Sequence, residues 1–312
     1  MMNAPLVSII IPTYNYGHYI LDALLSVSAQ SYQNWECIIV DDGSKDSTQT
    51  IVQTYISAHL NQSFHYILIE NGGLSNARNV GIRKSRGTYL QFLDADDLLL
   101  KDKLTAQVKL LQSKDCALVF SKSLFFYDND QKRIYKDKYP IGFLATETLV
   151  GQKLMFRLIR NNIFTVSSVL VHRDLILKAG LFDVRSNANE DWLMWFNIAL
   201  LLPVFIFDDT NNTATEIRMH QNGIMSGKQK MFQSEVFVRT QMNDSLKDQF
   251  EESYINAFKK YNYDLLALHQ IRSLDLKDGL TYVLKVFAKA PVRNFKLLAL
   301  SCIKLTGRIL KR

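Results

Sequence analysis

The sequence predicts an α/β fold in which a mostly parallel sheet is flanked by helices, and three observations support this prediction. Short apolar runs alternate with segments whose apolar residues recur at helical spacing, which is typical of parallel strands joined by crossover helices. Several of these runs end in polar clusters, and ligands bind at the carboxyl ends of such strands. Hydrophobic residues make up 47% of the 312 residues, which is ample for a core of this kind.

The first hundred residues contain four runs with the length and composition of buried strands, each followed by turn residues. Between them, Ile20, Leu24 and Val27 fall on one helical face, as do Val52 and Tyr55. The pattern predicts strands at 6–12, 35–40, 64–69 and 88–93, and helices that begin near residues 20, 45 and 74.

The second half of the chain has a less regular pattern. It predicts strands at 116–120, 165–171, 204–207 and 213–219, and a polar loop with tyrosines at 127–142. A short helix closed by Gly180 precedes an apolar helix that opens with Glu190 and Asp191. Acidic residues in a first helical turn are stabilised by the helix dipole, so capping alone explains this pair. The alternative is a catalytic carboxylate beside an aromatic platform formed by Trp192 or Trp195.

The basic residues are concentrated at the end of the chain. The net charge is +7, and residues 277–312 alone contain nine Lys or Arg against one Asp. We predict that residues 1–226 form the α/β domain and that residues 227–312 form a helical region with a basic amphipathic tail. A basic tail on a nearly neutral domain does not indicate a nucleic-acid-binding protein.

The tail, residues 279–312, has apolar residues at helical spacing with basic residues on the opposite side. This pattern is typical of a helix that lies on an anionic membrane surface, where each nearby basic residue adds about 1 kcal/mol to binding. The alternatives are a helix that packs on its own domain and a helix that binds a partner protein. Lys296 and Lys304 bracket too short an apolar run for a membrane-spanning helix.

Neither the beginning of the chain nor its cysteine content indicates export. Residues 1–11 lack the basic and apolar regions of a signal peptide. Cys37, Cys116 and Cys302 are few and widely spaced, which argues against disulfides and against a zinc site. We therefore expect a cytoplasmic protein, located peripherally at the inner face of the cell membrane if the tail binds lipid.

Three polar clusters follow predicted strands, at residues 13–15 (Thr-Tyr-Asn), 41–44 (Asp-Asp-Gly-Ser) and 94–97 (Asp-Ala-Asp-Asp). The last contains three carboxylates, and such oxygen ligands suit Mg²⁺ or Mn²⁺. A polar turn that caps the next helix through Asp97 or Asp102 explains the same residues without a metal. The glycine motif of dinucleotide-binding folds and the Walker loop are both absent from the sequence.

A pair of glycines leads into the third predicted helix, in which Arg78 lies one turn from the start. An arginine at this position is placed to reach a phosphate. The alternative is a purely structural role, with Ser75 as the helix cap and Arg78 in a surface ion pair.

Five motifs occur together in a fixed order. They are residues 7–15 (Val-Ser-Ile-Ile-Ile-Pro-Thr-Tyr-Asn), 41–44, 73–81 (Gly-Leu-Ser-Asn-Ala-Arg-Asn-Val-Gly), 94–97 and 190–191 (Glu-Asp). In this order they resemble the motifs of the family 2 inverting glycosyltransferases, which have the GT-A fold typical of nucleotide-diphospho-sugar transferases. The resemblance covers roughly residues 5–226, and the ordered set is far more specific than any one motif.

The resemblance implies a role for each matching residue. Asp191 would be the general base, and Asp96 would bind Mn²⁺ or Mg²⁺. His220 would join Asp96 at the metal, although Ile217 replaces the tyrosine that often precedes Arg218 in the family. The residues that would bind the nucleotide-sugar are Pro12, Thr13, Tyr14, Asn15, Asp42, Arg78, Asp94 and Ala95.

Within that set, the resemblance places Asp42 at the base, Asp94 at the ribose and Arg78 at the base or a phosphate. Glu190 and Trp192 would lie on the acceptor side. The implied reaction is the metal-dependent transfer of a sugar from a nucleotide-sugar, by resemblance a UDP-sugar, to a hydroxyl of a glycan or lipid-linked acceptor with inversion. Such reactions belong to polysaccharide biosynthesis for the cell envelope.

Three other readings of the paired aspartates are open. A dehalogenase-like phosphatase needs its aspartate pair near the first strand, whereas here the pair follows the fourth. A sugar-nucleotide pyrophosphorylase needs a glycine-rich, arginine-bearing signature near the first strand, which is missing. The third alternative is a catalytically inactive nucleotide- or glycan-binding scaffold protein of the same fold, and the joint presence of Asp42, Asp94, Asp96 and Asp191 weighs against it.

Overall fold

The structure is a computed structural model that describes residues 4–128, 135–186, 188–220, 228–246 and 252–273, together with Thr281, Leu284 and Ala288. The chain divides into two compact units between Gly223 and Ile224. The predicted amphipathic tail, residues 279–312, lies outside the described residues except for the three single residues just named. Its membrane contact therefore stays a prediction.

Strands and helices alternate through the first part of the larger unit, as the sequence predicts. These elements are β1 (Val7–Thr13), α1 (Ile20–Ser28), β2 (Trp35–Asp41), α2 (Thr48–Ala58), β3 (Phe64–Leu68), α3 (Leu74–Lys84) and β4 (Tyr89–Phe92). Helical spacing and short apolar runs between turn residues are local signals, so they locate these elements without knowledge of the tertiary fold.

The second part of this unit contains shorter and less regular elements. They are β5 (Leu98–Leu99), α4 (Lys103–Ser113), β6 (Leu118–Ser121), β7 (Ser123–Tyr127), β8 (Leu149–Val150), α5 (Gly151–Arg160), β9 (Val169–His172), α6 (Arg173–Lys178), α7 (Glu190–Leu201), β10 (Val204–Asp208) and β11 (Thr215–Met219). The sequence pattern did not predict α5 or the strands β5, β7 and β8, and it indicated α4 only as the helix that Asp97 or Asp102 would cap. For α5 the signal was present, because Leu154, Met155, Leu158 and Ile159 form one buried face.

Within the described residues, eight strands form the central sheet in the order β3-β2-β1-β4-β9-β6-β10-β8. Parallel pairs join β3 to β2, β2 to β1, β1 to β4 and β6 to β10. β9 is antiparallel to both β4 and β6, and β8 is antiparallel to β10. The prediction of an α/β fold with a mostly parallel sheet is thereby confirmed. A smaller sheet places β11 between β5 and β7.

Side chains of β2 alternate between the two faces of the sheet. Cys37 belongs to the core cluster that includes buried residues of α1 and α2, whereas Ile38 packs with residues of α3. Helix α3 approaches β1 so closely that a Cβ on Gly81 would lie 2.4 Å from Ile10 Cγ2. Glycine at this position therefore permits the close contact that fixes α3, and with it Arg78, against the sheet.

The predicted strand 165–171 forms a strand only from Val169, because Val166–Ser168 makes a 3₁₀ turn. The backbone N–H of Ser168 donates to Thr165 O at 3.0 Å, and its hydroxyl donates to the same oxygen at 2.7 Å. Local bonds of this kind from Ser and Thr compete with strand pairing. The turn places Ser167 in the candidate site described below.

The second unit contains α8 (Lys228–Ser245) and α9 (Glu252–Ser273), which pack against each other. Val238 and Met242 of α8 and Phe258 of α9 are fully buried. Asn262 adds a polar contact to this core, since its Nδ2 donates to Arg239 O at 2.8 Å. In the described part of the chain, no helix combines the length and the apolar character that crossing a lipid bilayer requires.

Candidate active site

The ends of β1, β2 and β4 lie side by side, so the three polar clusters meet at one edge of the sheet. Thr13 is paired with Asp41 in the register of β1 and β2. The N–H of Leu93 donates to Ile10 O at 3.0 Å, which continues the pairing of β4 with β1 up to residues 94–97. This edge holds the carboxyl ends of the parallel strands, where ligands bind in such sheets.

Asp42 joins the end of β2 to the start of α3. Its two carboxylate oxygens accept hydrogen bonds from the N–H groups of Gly72 and Gly73, each at 2.8 Å. Gly73 has a φ of +87°, which glycine adopts without strain. The loop before α3 is therefore shaped by Asp42, and the contact of Asp42 with a base stays a prediction.

The end of β1 presents a hydroxyl group and a left-handed turn. Thr13 is 3% exposed, and its Oγ1 has no hydrogen-bond partner among the described residues. Asn15 has a φ of +58°, and its N–H donates to Ser44 Oγ at 2.8 Å. Of the other predicted nucleotide contacts nearby, Tyr14 is exposed, whereas Pro12 and Ala95 are buried. The unsatisfied Thr13 hydroxyl is suited to a polar ligand group.

Residues 94–97, which we call the carboxylate turn, are held by Ser167. The N–H of Asp94 donates to Ser167 Oγ at 3.1 Å, and the Ser167 hydroxyl donates to Asp97 Oδ2 at 2.7 Å. Burial raises the pKa of Asp97 well above its ordinary value, and the charges of Asp96 and Asp94 raise it further. Asp97 therefore supports the turn from the interior, whereas Asp94 and Asp96 keep partly exposed carboxylates.

His220 lies next to Asp96, as the resemblance implies. Its Nε2 is 2.8 Å from Asp96 Oδ2, and its ring packs against Tyr16 and Tyr19 at centroid distances of 5.8 and 4.9 Å. The buried Nδ1 of His220 has no partner within the described ranges. The structure brings the two residues together, and their joint role as metal ligands stays a prediction.

Arg218 ties the carboxylate turn to two distant parts of the chain. Its Nε donates to Asp96 O at 3.1 Å, its Nη1 to Asp128 at 2.9 Å and its Nη2 to Asp22 at 2.7 Å. The guanidinium also lies over the Tyr19 ring, 4.8 Å from the centroid. Three polar contacts and a ring contact hold the Arg218 side chain in one conformation. The position of Asp96 therefore depends on Arg218.

Arg78 is buried in a bridge between the carboxylate turn and α7. Its Nη2 donates to Asp94 Oδ1 at 2.7 Å, and its Nη1 donates to Glu190 Oε1. The side chain is only 1% exposed and lies over the Phe182 ring. Arg78 therefore bridges the two elements from a buried position, so its ion pairs are not on the surface, and its contact with a base or a phosphate stays a prediction.

Asp191 lies at the start of α7 with both oxygens engaged. Asn162 Nδ2 donates to Oδ2 at 2.8 Å, and the N–H of Trp192 donates to Oδ1 at 2.8 Å. Burial and the charge of Glu190 raise the pKa of Asp191 to about 7, and Arg78 partly opposes this shift. A carboxylate with a pKa near neutrality is suited to accept a proton at physiological pH.

The two residues predicted on the acceptor side have interior positions. Trp192 is 2% exposed, and its Nε1 donates to Leu158 O at 2.6 Å. Glu190 is 5% exposed and faces Arg78. Both side chains are thus engaged within the protein, and their roles on the acceptor side stay predictions.

The carboxylate turn has the donor chemistry for a hard divalent cation. In the described part of the chain, no hydrogen bond engages Asp94 Oδ2 or Asp96 Oδ1. The same residues contain no group of three or more potential ligands arranged around a metal position. A cation such as Mg²⁺ takes only one or two protein carboxylates when substrate phosphates supply the other oxygens, so these residues fit a metal that binds together with a diphosphate.

A family model and a related sequence both identify this chain as a glycosyltransferase. The family model for glycosyl transferase family 2 matches residues 8–173. The putative teichuronic acid biosynthesis glycosyltransferase TuaG of Bacillus subtilis is 33% identical over 236 residues, which span 75% of this chain and 87% of the relative.

Two solved structures have a similar architecture. S. aureus TarS (residues 1–349) in complex with UDP has a TM-score of 0.64 at 17% identity, over 92% of this chain and 88% of that one. The mannosyltransferase PcManGT of Pyrobaculum calidifontis, in complex with GDP-Man and Mn²⁺, has a TM-score of 0.64 at 18% identity, over 99% of this chain and 88% of that one. At this level of identity the two structures establish a likeness of fold.

Proposed function

Because the chain belongs to glycosyl transferase family 2 and has the GT-A fold, we propose that it moves a sugar from a UDP-sugar to a hydroxyl of a glycan or lipid-linked acceptor, with inversion. The observation that carries this proposal is the position of Asp191. This half-buried carboxylate has a raised pKa, and its neighbour Glu190 is joined through Arg78 to Asp94 of the carboxylate turn. A proton acceptor and a phosphate- or metal-binding turn are therefore linked by one buried bridge.

In the proposed reaction, the acceptor oxygen attacks the anomeric carbon from the face opposite the leaving group. The bond between this oxygen and the anomeric carbon forms while the bond from that carbon to the diphosphate oxygen breaks. The electron pair leaves with the nucleoside diphosphate, and the proton of the acceptor hydroxyl goes to Asp191. A single displacement inverts the configuration and needs no nucleophile from the protein.

We infer that the metal would be held at the carboxylate turn by Asp96 together with His220, while Asp94 would bind the ribose of the donor. When bound, Mn²⁺ or Mg²⁺ neutralises the charge that develops on the leaving diphosphate. Arg218 and Ser167 hold the turn in place through the contacts described above. The Oδ1 of Asp96, which no hydrogen bond engages among the described residues, supports this assignment.

Two similarities support the proposed substrates. UDP is the nucleotide in the TarS complex, so it is the first donor nucleotide to test. A role in teichuronic acid biosynthesis is ascribed to the Bacillus relative, which favours a glycan acceptor for this chain.

The release of nucleoside diphosphate from a panel of UDP- and GDP-sugars tests both the reaction and its metal. We expect turnover with one donor in Mn²⁺ or Mg²⁺, and a loss on the order of 10²–10³-fold in EDTA or in Asp96→Ala, since a metal contributes several kcal/mol to charge stabilisation. Asp209→Ala, at an exposed aspartate, is the matched control. Full activity in EDTA would overturn the metal assignment, and no turnover or nucleotide binding with any donor would overturn the proposed function.

The raised pKa of Asp191 predicts the pH dependence of transfer. The base works only when deprotonated, so kcat/KM should fall about tenfold per pH unit below about 7 and level off above it. The Glu190 charge raises this pKa, so Glu190→Gln should move the profile to lower pH. The assignment of Asp191 would be contradicted if the pH profiles of wild type and Glu190→Gln coincide, or if kcat/KM does not fall below about pH 7.

A further inference from the structure

The segment 135–143 carries two side chains that the proposed reaction has not used. The segment has neither helix nor strand, but it is fixed at both ends. The N–H of Lys136 donates to Phe125 O at 2.8 Å, and Asn161 Nδ2 donates to Phe143 O at 3.0 Å. These bonds hold the segment against β7 and the end of α5.

Aromatic rings locate the ammonium group of Lys138 within this segment. Its Nζ lies 5.5 Å from the centroid of the Phe125 ring and 5.7 Å from that of Tyr139. Tyr139 stacks on Phe143 with a centroid distance of 4.5 Å and an interplanar angle of 10°. Phe125 is paired with Ile217 of β11. The lysine is therefore held between two rings, beside the strand that leads to Arg218 and His220.

Charged side chains of the candidate site act on Lys138 and Tyr139 of this segment. Burial lowers the pKa of Lys138, and the charges of Asp97 and Asp96 oppose this shift, so its ammonium lies within their field. Burial and the charge of Asp191 raise the pKa of Tyr139 to about 12. The geometry agrees, because Phe125 beneath Lys138 is paired with Ile217, and the N–H of the next residue, Arg218, donates to Asp97 Oδ1 at 3.2 Å. Lys138 thus lies on the strand pair that contacts the carboxylate turn.

We propose that Lys138 binds the terminal phosphate of the nucleoside diphosphate and stabilises it as the leaving group. A half-buried ammonium beside the carboxylate turn is positioned where a diphosphate would join that turn, and lysine binds phosphate as a point charge. Negative charge on the diphosphate rises as the sugar departs, so a fixed cation there stabilises the transition state more than the bound donor. This inference rests on the proposed function, and it makes Lys138 a catalytic residue that acts beside the metal.

The test compares the binding of UDP and UMP by calorimetry, with Mn²⁺ and with EDTA. Lys138→Met keeps an unbranched apolar side chain beside the rings and removes the charge. We expect it to weaken UDP binding about tenfold, as for the loss of one charged hydrogen bond, and to change UMP binding by less than about twofold. The effect on UDP should persist in EDTA, where the lysine acts without a metal. Lys138→Arg should recover most of the affinity.

Lys136→Met is the matched control, because Lys136 lies in the same segment with its Nζ over the Tyr127 ring. If Lys138→Met binds UDP as tightly as Lys136→Met does, while wild type still prefers UDP to UMP, the inference fails and the proposed function stands. If wild type binds no nucleoside diphosphate, both fail. An equal loss of UDP and UMP binding would also overturn the inference, since it would indicate a general effect of charge or folding.

Discussion

Replacement of Asp191 by Asn is expected to lower the turnover of sugar transfer by about 10²- to 10⁴-fold, which is the range that general base catalysis contributes. The amide has nearly the shape of the carboxylate, so it preserves the packing at the start of α7 but cannot accept the proton. In wild type both oxygens accept, from Asn162 Nδ2 and from the Trp192 N–H. The amide oxygen can keep the bond from the Trp192 N–H, and Asn162 can turn its Oδ1, which has no partner among the described residues, toward the new NH2 group. The loss should therefore fall on kcat, whereas the affinity for UDP should change little.

Initial rates with a saturating donor, together with calorimetric UDP binding, separate these two quantities. Asp174→Asn makes the same chemical change at an exposed position in α6 and should match wild type in both. Transfer by Asp191→Asn at more than about a tenth of the wild-type rate would rule out general base catalysis by this residue.

Replacement of Arg78 by Met is expected to lower the free energy of unfolding by about 3–5 kcal/mol, the range found when one partner of a buried ion pair is removed. Methionine fills much of the space of the arginine stem but leaves Glu190 and Asp94 without their shared cation. Leaving Glu190 unpaired costs more free energy than leaving Asp94 unpaired, because Glu190 is 5% exposed and water cannot replace the guanidinium.

Urea unfolding measures this change, with Arg185→Met as the matched control. Arg185 pairs with Asp183 on the surface, so its removal should leave the midpoint unchanged. Adding Glu190→Gln to Arg78→Met should recover part of the loss, because the second change removes the uncompensated charge. A stability of Arg78→Met within about 1 kcal/mol of wild type would show that the bridge is not needed for folding.

The first half of the fold was predictable from the sequence because its signals are local. The apolar runs of β1 to β4 and the helical spacing in α1 to α3 each involve residues that are close together in sequence. The same reasoning located the strand-end clusters and the acidic pair that begins α7. A parallel sheet brings its strand ends together, so the meeting of residues 13, 41 and 94 followed as well.

The predicted strand at 165–171 was partly wrong because long-range contacts add to a local turn. Besides the local bonds of Ser168 to Thr165 O, the turn at Val166–Ser168 is held by Ser167, which is engaged by the carboxylate turn and by Gln91, whose Nε2 donates to Ser167 O at 2.8 Å. These partners lie more than 60 residues away in sequence, and a β-branched, apolar stretch reads as strand without them.

The sequence by itself determined which residue types stand at the strand ends, and hence the family and the class of chemistry. Only the tertiary structure decided which of those side chains are partly exposed and which are buried against partners within the protein. Arg78 and Trp192 are buried and donate to Glu190 and Leu158, and their predicted contacts with the substrate stay predictions. The ion pair between Arg218 and Asp22 joins two residues that lie far apart in the sequence of the larger unit. Periodicity in the sequence indicates which face of an element is apolar. The partner of a buried charge, in contrast, depends on which distant segments pack together in the fold.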